Sequence, residues 1–148
     1  MNFYVFIALI IVLGDQIIKY LVSTNMFVGQ SILVIPNIFH LTYILNAGAA
    51  FGILANQRYF FIIIAVLLVA IVIYFRQKLL YQPKTVQMGI YMLLGGALGN
   101  MIDRIILGKV IDYMDFRIWP IFNLADVAIV LGCMIIIYKL IFTNGAEK

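Results

Sequence analysis

The sequence predicts an all-α polytopic membrane protein: four transmembrane helices, with a small extracytoplasmic β-sheet between the first and second. Three observations carry this. Of 148 residues, 66% are hydrophobic and only 11% charged, and the mean hydropathy is +1.12, which lies outside the range of a soluble globular domain. Apolar runs recur at close to the ~20 residues that cross a hydrocarbon core. The long polar interruption at residues 23–58 is rich in β-branched and aromatic residues, which favour strands. Residues 1–148 are therefore read as a single membrane-embedded domain.

The first span covers residues 3–22. Its first charge is Asp15 and its exit reads LVSTNMF, so neither a basic start nor a small-residue cleavage site marks a removable leader. Asp15 and Lys19 are four apart and share a helical face, which reads as an interfacial ion pair anchoring the helix end. In SILVIPNIFHLTYIL, Pro36 interrupts helix propagation and short strands are expected. At period two, His40, Thr42 and Asn46 face one way, and Phe39, Leu41, Tyr43 and Leu45 the other, as in an amphipathic sheet on a membrane surface. The chain then turns through NAGAAFG, where Gly48 and Gly52 permit close backbone approach.

Residues 59–75 form an uninterrupted apolar second span. RQKLLYQPK, with Arg76, Lys78, Lys84 and Pro83, reads as a short loop. The third span covers residues 86–107, with Gly95, Gly96 and Gly99 admitting a close neighbour along its later half. Residues 124–142 make the fourth, and TNGAEK is a polar tail. Four spans put both termini on one side. The count of basic residues is balanced, with Arg76, Lys78, Lys84, Lys139 and Lys148 on one side and Lys19, Arg58, Arg104, Lys109 and Arg117 on the other. The compact loop at 76–84 tips the assignment, placing it and both termini in the cytoplasm.

Several function classes drop out. The net charge of +4 comes from ten scattered Lys and Arg, with no basic stripe and no nucleic-acid motif. Cys133 is the only cysteine and lies in an apolar run, so no intrachain disulfide and no thiol cluster for a metal is available. His40 is also alone, which excludes a two-histidine zinc helix.

What remains is acidic. Asp103, Asp112, Asp115 and Asp126 are four of the six acidic residues, in a chain where carboxylates are expensive unless paired or used. The third span ends near Asp103 and the fourth begins near Asp126, so Asp112 and Asp126 share a membrane face and can converge. Asp103 stands beside Arg104, and Asp115 two residues before Arg117, which points those two to structural pairing. Two carboxylates in a poorly hydrated site cannot easily both ionise, so one acts as base while the other keeps a proton. Such a pair suits activation of water against a carbonyl. Asp126, in the first turn of the last span, is expected to be the more readily ionised. The residues alone leave open a peptidase, a small proton-coupled membrane transporter subunit, a structural subunit, and a metal-dependent lipid transferase using Asp112, Asp115 and Asp126.

Four blocks narrow the choice: GDQIIKYLV at 14–22, NAGAAFGIL at 46–54, GGALGNMIDRIILGKVIDYMDF at 95–116 and FNLADVAIVLG at 122–132. Together, over nearly the whole chain, they resemble the lipoprotein signal peptidases, also called signal peptidase II, which are intramembrane aspartic peptidases. The resemblance implies that Asp112 and Asp126 are the catalytic dyad. It implies that Asn46, Asn100, Arg104 and Asn123 line the polar floor of the site and position the scissile peptide, and that Asp15, Lys19 and Asp103 support the architecture. The substrates it implies are bacterial prolipoproteins carrying diacylglycerol on a cysteine, cut just before that cysteine at the outer face of the cytoplasmic membrane. No metal or organic cofactor is implied, and globomycin is the implied inhibitor. A β-cradle after the first span belongs to the same expectation, as does a monomer among membrane lipids. The connection from Asp112 to Asp126 is short for the family.

Overall fold

The computed structural model describes residues 2–49 and 53–143. In chain order it contains α1 (Asn2–Asn25), β1 (Ser31–Ile35), β2 (Phe39–Asn46), α2 (Arg58–Tyr74), α3 (Arg76–Leu79), α4 (Lys84–Ile106), β3 (Val110–Asp115) and α5 (Leu124–Thr143). Gly52, assigned above to a close backbone approach, lies outside the described residues, as do residues 144–148 of the polar tail.

The helices are apolar for the reason a membrane demands. Large side chains such as Ile10 (66% exposed) and Leu13 (60%) point outward, while Asp15 (0%) and Lys19 (2%) on the same helix are buried. That inverted pattern is stable only where the surroundings are themselves hydrocarbon. Phe3–Asn25 and Leu124–Phe142 are long and apolar enough to cross a membrane, and Arg58–Tyr74 is a shorter apolar helix. The helix α4 is long but carries buried Gln87, Asn100, Asp103 and Arg104, which lower its hydropathy. It is the central element and packs against α1, α2 and, most extensively, α5. The loop expected at 76–84 contains one short helix, α3, and Pro83 stands at the start of α4.

Close packing of α4 on α5 depends on glycine at one point above all. A Cβ on Gly96 would strike the Ala125 carbonyl oxygen and come within 2.8 Å of Ile129 Cγ1. The helix that carries Asp126 is thereby held tight against α4.

The sheet is antiparallel in the order β1-β2-β3. Its third strand departs from expectation: the sequence points to a sheet within residues 31–46 alone, whereas β3 comes from the connection between α4 and α5. In VIDYMD, two aspartates in six residues obscure the apolar pattern of a strand. Strict period-two alternation in β2 also fails. Leu41 pairs with Met114 but Ile44 with Asp112, so β2 carries one extra residue, and Thr42 and Tyr43 are both buried. Val22 of α1 and Met26, just past its end, pack with Tyr43, Ile111 and Tyr113, seating the sheet on the end of the first helix. This brings β3 to the start of α5.

Candidate active site

Asp112 sits in the middle of β3 and is 1% exposed. Its cross-strand partner is Ile44, so Asn46 lies on the same face one step along the diagonal. From there Asn46 Nδ2 donates to Asp112 Oδ2 at 2.9 Å, while its Oδ1 accepts the Gly48 N–H at 2.9 Å.

Asp126 lies in the first turn of α5 and is held by a reciprocal cap. Asn123 Oδ1 accepts the Asp126 N–H at 2.9 Å, and the Asn123 N–H donates to Asp126 Oδ2 at 3.2 Å. The same Asn123 reaches across with Nδ2 to Asp112 Oδ1 at 2.6 Å. Asn100 of α4 completes the network, donating from Nδ2 to Asp126 Oδ1 at 2.7 Å. Each carboxylate therefore accepts on both oxygens, and one asparagine, fully buried beneath them, touches both. Burial first, and the nearby charge of Asp126 second, push the Asp112 carboxyl up to about 7.

The other predicted residues fall around this centre in two ways. Arg104 does not pair with its neighbour Asp103. Its Nη2 donates to the Gly48 carbonyl at 2.9 Å, its Nη1 donates to the Asn100 carbonyl at 3.3 Å, and the guanidinium lies 4.2 Å from the Phe61 ring centroid. Adjacent residues of one helix point about 100° apart, so sequence adjacency is a poor guide to pairing. Asp103 instead meets Lys19 at 2.9 Å, Gln16 Nε2 at 3.0 Å and the Ile111 N–H at 3.0 Å. Asp15 and Lys19, expected as an interfacial anchor, form a buried pair at 2.8 Å, and Asp15 also accepts the Ala125 N–H at 3.1 Å. The acid and base thus bind three helices together.

Asp115 is turned away from the pair, as its expected pairing role requires. It accepts from Thr42 Oγ1 at 2.7 Å and from the Arg117 N–H at 2.9 Å, with the Arg117 guanidinium at 3.6 Å. Burial alone would raise its carboxyl, but these hydrogen bonds and the Arg117 charge outweigh it and hold Asp115 below the usual carboxylate range. A metal set of Asp112, Asp115 and Asp126 is not formed, and no group of three or more His, Cys, Asp or Glu among the described residues could hold a metal ion.

Gln16, Thr42 and Tyr113 escaped sequence reasoning as site residues. Gln16 was legible as a polar residue inside an apolar span. Tyr113 Oη accepts the Leu124 N–H at 3.2 Å and so caps α5, and burial pushes its hydroxyl up to about 12. Nothing in the sequence singles it out.

Asp112 and Asp126 border a cavity of about 830 Å³, together with Asn46, Asn100 and Arg104. Away from them its wall is apolar, with Ile64, Leu68 and Val130 among its residues, and Trp119 and Pro120 border it as well. Such a site can hold an amphiphile with its polar part on the carboxylates.

The chain is similar to known proteins throughout this architecture. The family model for signal peptidase (SPase) II matches residues 7–142. A lipoprotein signal peptidase of Halothermothrix orenii is 48% identical over 90% of this chain and 92% of its own length. One from Bacillus subtilis is 37% identical over 98% of this chain and 97% of its own. A solved bacterial membrane enzyme, 37% identical, superposes with a TM-score of 0.93 over 100% of this chain and 93% of that one. With sequence and fold in agreement from the first helix to the last, the chain belongs to the signal peptidase II family of aspartic peptidases.

Proposed function

We propose that the protein is an intramembrane aspartic endopeptidase that removes signal peptides from diacylglyceryl-modified bacterial prolipoproteins, with Asp112 and Asp126 as its catalytic dyad. The observation that carries this reading is the position of the two carboxylates. One amide network holds them at the border of a largely apolar cavity.

In the reaction so read, a water molecule sits between the carboxyls. Asp126 takes its proton as the oxygen attacks the carbonyl before the lipidated cysteine, and protonated Asp112 donates to the developing oxyanion. The tetrahedral intermediate then collapses, the C–N bond breaks, and Asp126 returns the proton to the leaving amine. Asn46, Asn100 and Asn123 aim the two carboxyls. Arg104 holds the Gly48 carbonyl and so shapes the strip of backbone along which the peptide passes. The acyl chains lie along Ile64, Leu68 and Val130. The scheme needs no metal or organic cofactor.

The helices α1, α2, α4 and α5 serve as four spans of a single domain, with both termini in the cytoplasm and the sheet at the outer face. The apolar outer surfaces of α1, α2 and α5 around the central α4 support this, as does the location of the dyad at the sheet end of the bundle. The protein acts as a monomer among membrane lipids.

The test is cleavage of a purified diacylglyceryl prolipoprotein, followed on a gel. Asp112→Asn and Asp126→Asn each abolish release of the signal peptide while the protein stays folded, and globomycin inhibits the native enzyme. Normal turnover by both variants would overturn the assignment.

A further inference from the structure

Lys19 is 2% exposed, and all three of its ammonium hydrogens are used. Two go to carboxylates, at 2.8 Å to Asp15 and 2.9 Å to Asp103. A counter-ion needs no more than these. The third runs to Asn100 Oδ1 at 3.0 Å. That oxygen also accepts from Asn123 Nδ2 at 3.1 Å. An amide with two donors on its oxygen cannot be reversed without turning its own NH2 against an ammonium and setting its oxygen against a carboxylate. The amide of Asn100 consequently has one stable orientation, in which Nδ2 meets Asp126 Oδ1 at 2.7 Å.

We propose that Lys19 is a positioning residue for the reaction: by locking the Asn100 amide it keeps a donor on Asp126 and holds that carboxylate in its attacking geometry. The inference rests on the dyad reading above. Lys19 does not touch substrate and acts through Asn100. The charged and titratable groups around it are Asp15 on its own helix, Asp103 on α4, and, within electrostatic reach, Asp112 on β3 and Asp126 on α5. Its ammonium also lowers the Asp112 carboxyl against the larger effect of burial. Loss of the charge therefore raises Asp112 further and carries the alkaline limb of the pH–rate profile to higher pH.

The experiment measures cleavage by Lys19→Met, with kcat referred to folded protein recovered from size-exclusion chromatography. The expected result is a kcat reduced roughly 10- to 100-fold with KM within about twofold, as for displacement of a reacting group by a fraction of an ångström. The alkaline limb moves to higher pH. Should this variant fail to fold, Asp15→Asn/Lys19→Met provides the kcat reading, a roughly 10- to 100-fold loss through the unlocked Asn100 amide, without the shift of the limb. It leaves one carboxylate in place of two carboxylates and an ammonium, so the cluster keeps its net charge, and Asp103 keeps its bonds from Gln16 and Ile111. A merely structural lysine lowers the folded yield and leaves kcat and the limb of the surviving molecules native, and that outcome overturns the proposal. Asp112→Asn and Asp126→Asn run beside it. Their inactivity together with a native-like Lys19 variant rejects the positioning role alone, whereas their activity rejects the peptidase reading.

Discussion

The Asn123 amide donates to Asp112 at 2.6 Å while its oxygen accepts the Asp126 N–H at 2.9 Å, so one buried side chain spans the strand and the helix. Replacement by alanine removes a helix cap, at about 1 kcal/mol, and strips a buried carboxylate oxygen of its donor, at about 1–3 kcal/mol. Asn123→Ala is expected to lower the melting temperature in detergent and to cut the cleavage rate roughly 100-fold. Native turnover in a folded variant would contradict it.

The pH dependence stems from Asp112, raised to about 7 by burial and by the charge of Asp126. A carboxyl raised in the folded state contributes stability that is complete below its unfolded value and is lost as pH rises through the folded one. Stability should therefore fall between the ordinary carboxylate range and about 7, and activity should fall as Asp112 ionises above that. Thermal unfolding of Asp112→Asn across the same range should be flatter, because the amide does not titrate.

Thr42 links β2 to Asp115 through a 2.7 Å hydrogen bond and also meets Ser31 Oγ at 2.7 Å. Thr42→Val should cost about 1–2 kcal/mol of stability. Asp115 is depressed, so its contribution is present above the unfolded value and is lost as pH falls through the folded one. The variant should lose less stability on acidification below about 4 than the native protein does. Cleavage at neutral pH should remain within about threefold, since neither residue reaches the dyad. A loss of 100-fold would place Asp115 in the chemistry.

Two glycine substitutions separate close packing from mere proximity. Gly96→Ala drives a methyl group into the Ala125 carbonyl and is expected to destabilise by about 1–3 kcal/mol or more and to impair cleavage by displacing Asp126. Gly14→Ala meets only Leu124 Cδ2, at 3.4 Å, and should be tolerated. Equal behaviour of the two variants would argue against tight α4–α5 packing as the support of the site.

The helices were legible because hydrocarbon surroundings demand long apolar runs, and the acids stood out against them. Their sorting was only partly legible. Asp112 and Asp126 can be paired from the order of the spans, whereas adjacency points Asp103 to Arg104 when its true partner, Lys19, lies 84 positions earlier in the chain at 2.9 Å. Long-range pairing of that kind leaves no local pattern. The third strand escapes because Asp112, which borders the site, and Asp115, which pairs with Thr42 and Arg117, disrupt the alternation by which strands are found. The bulge in β2 is invisible for a related reason: an inserted residue turns every later side chain of the strand to the opposite face without changing composition.

The sheet order has a consequence for biogenesis. Asp112 takes its place only when β3 pairs with β2, a strand made some seventy residues before it, and Asp126 arrives with the last helix. A chain still emerging into the bilayer holds its carboxylates apart. With Asp112 and Asp126 as the proposed dyad, hydrolytic competence is the final property the molecule acquires, and an incompletely inserted copy is expected to be inert toward neighbouring peptides.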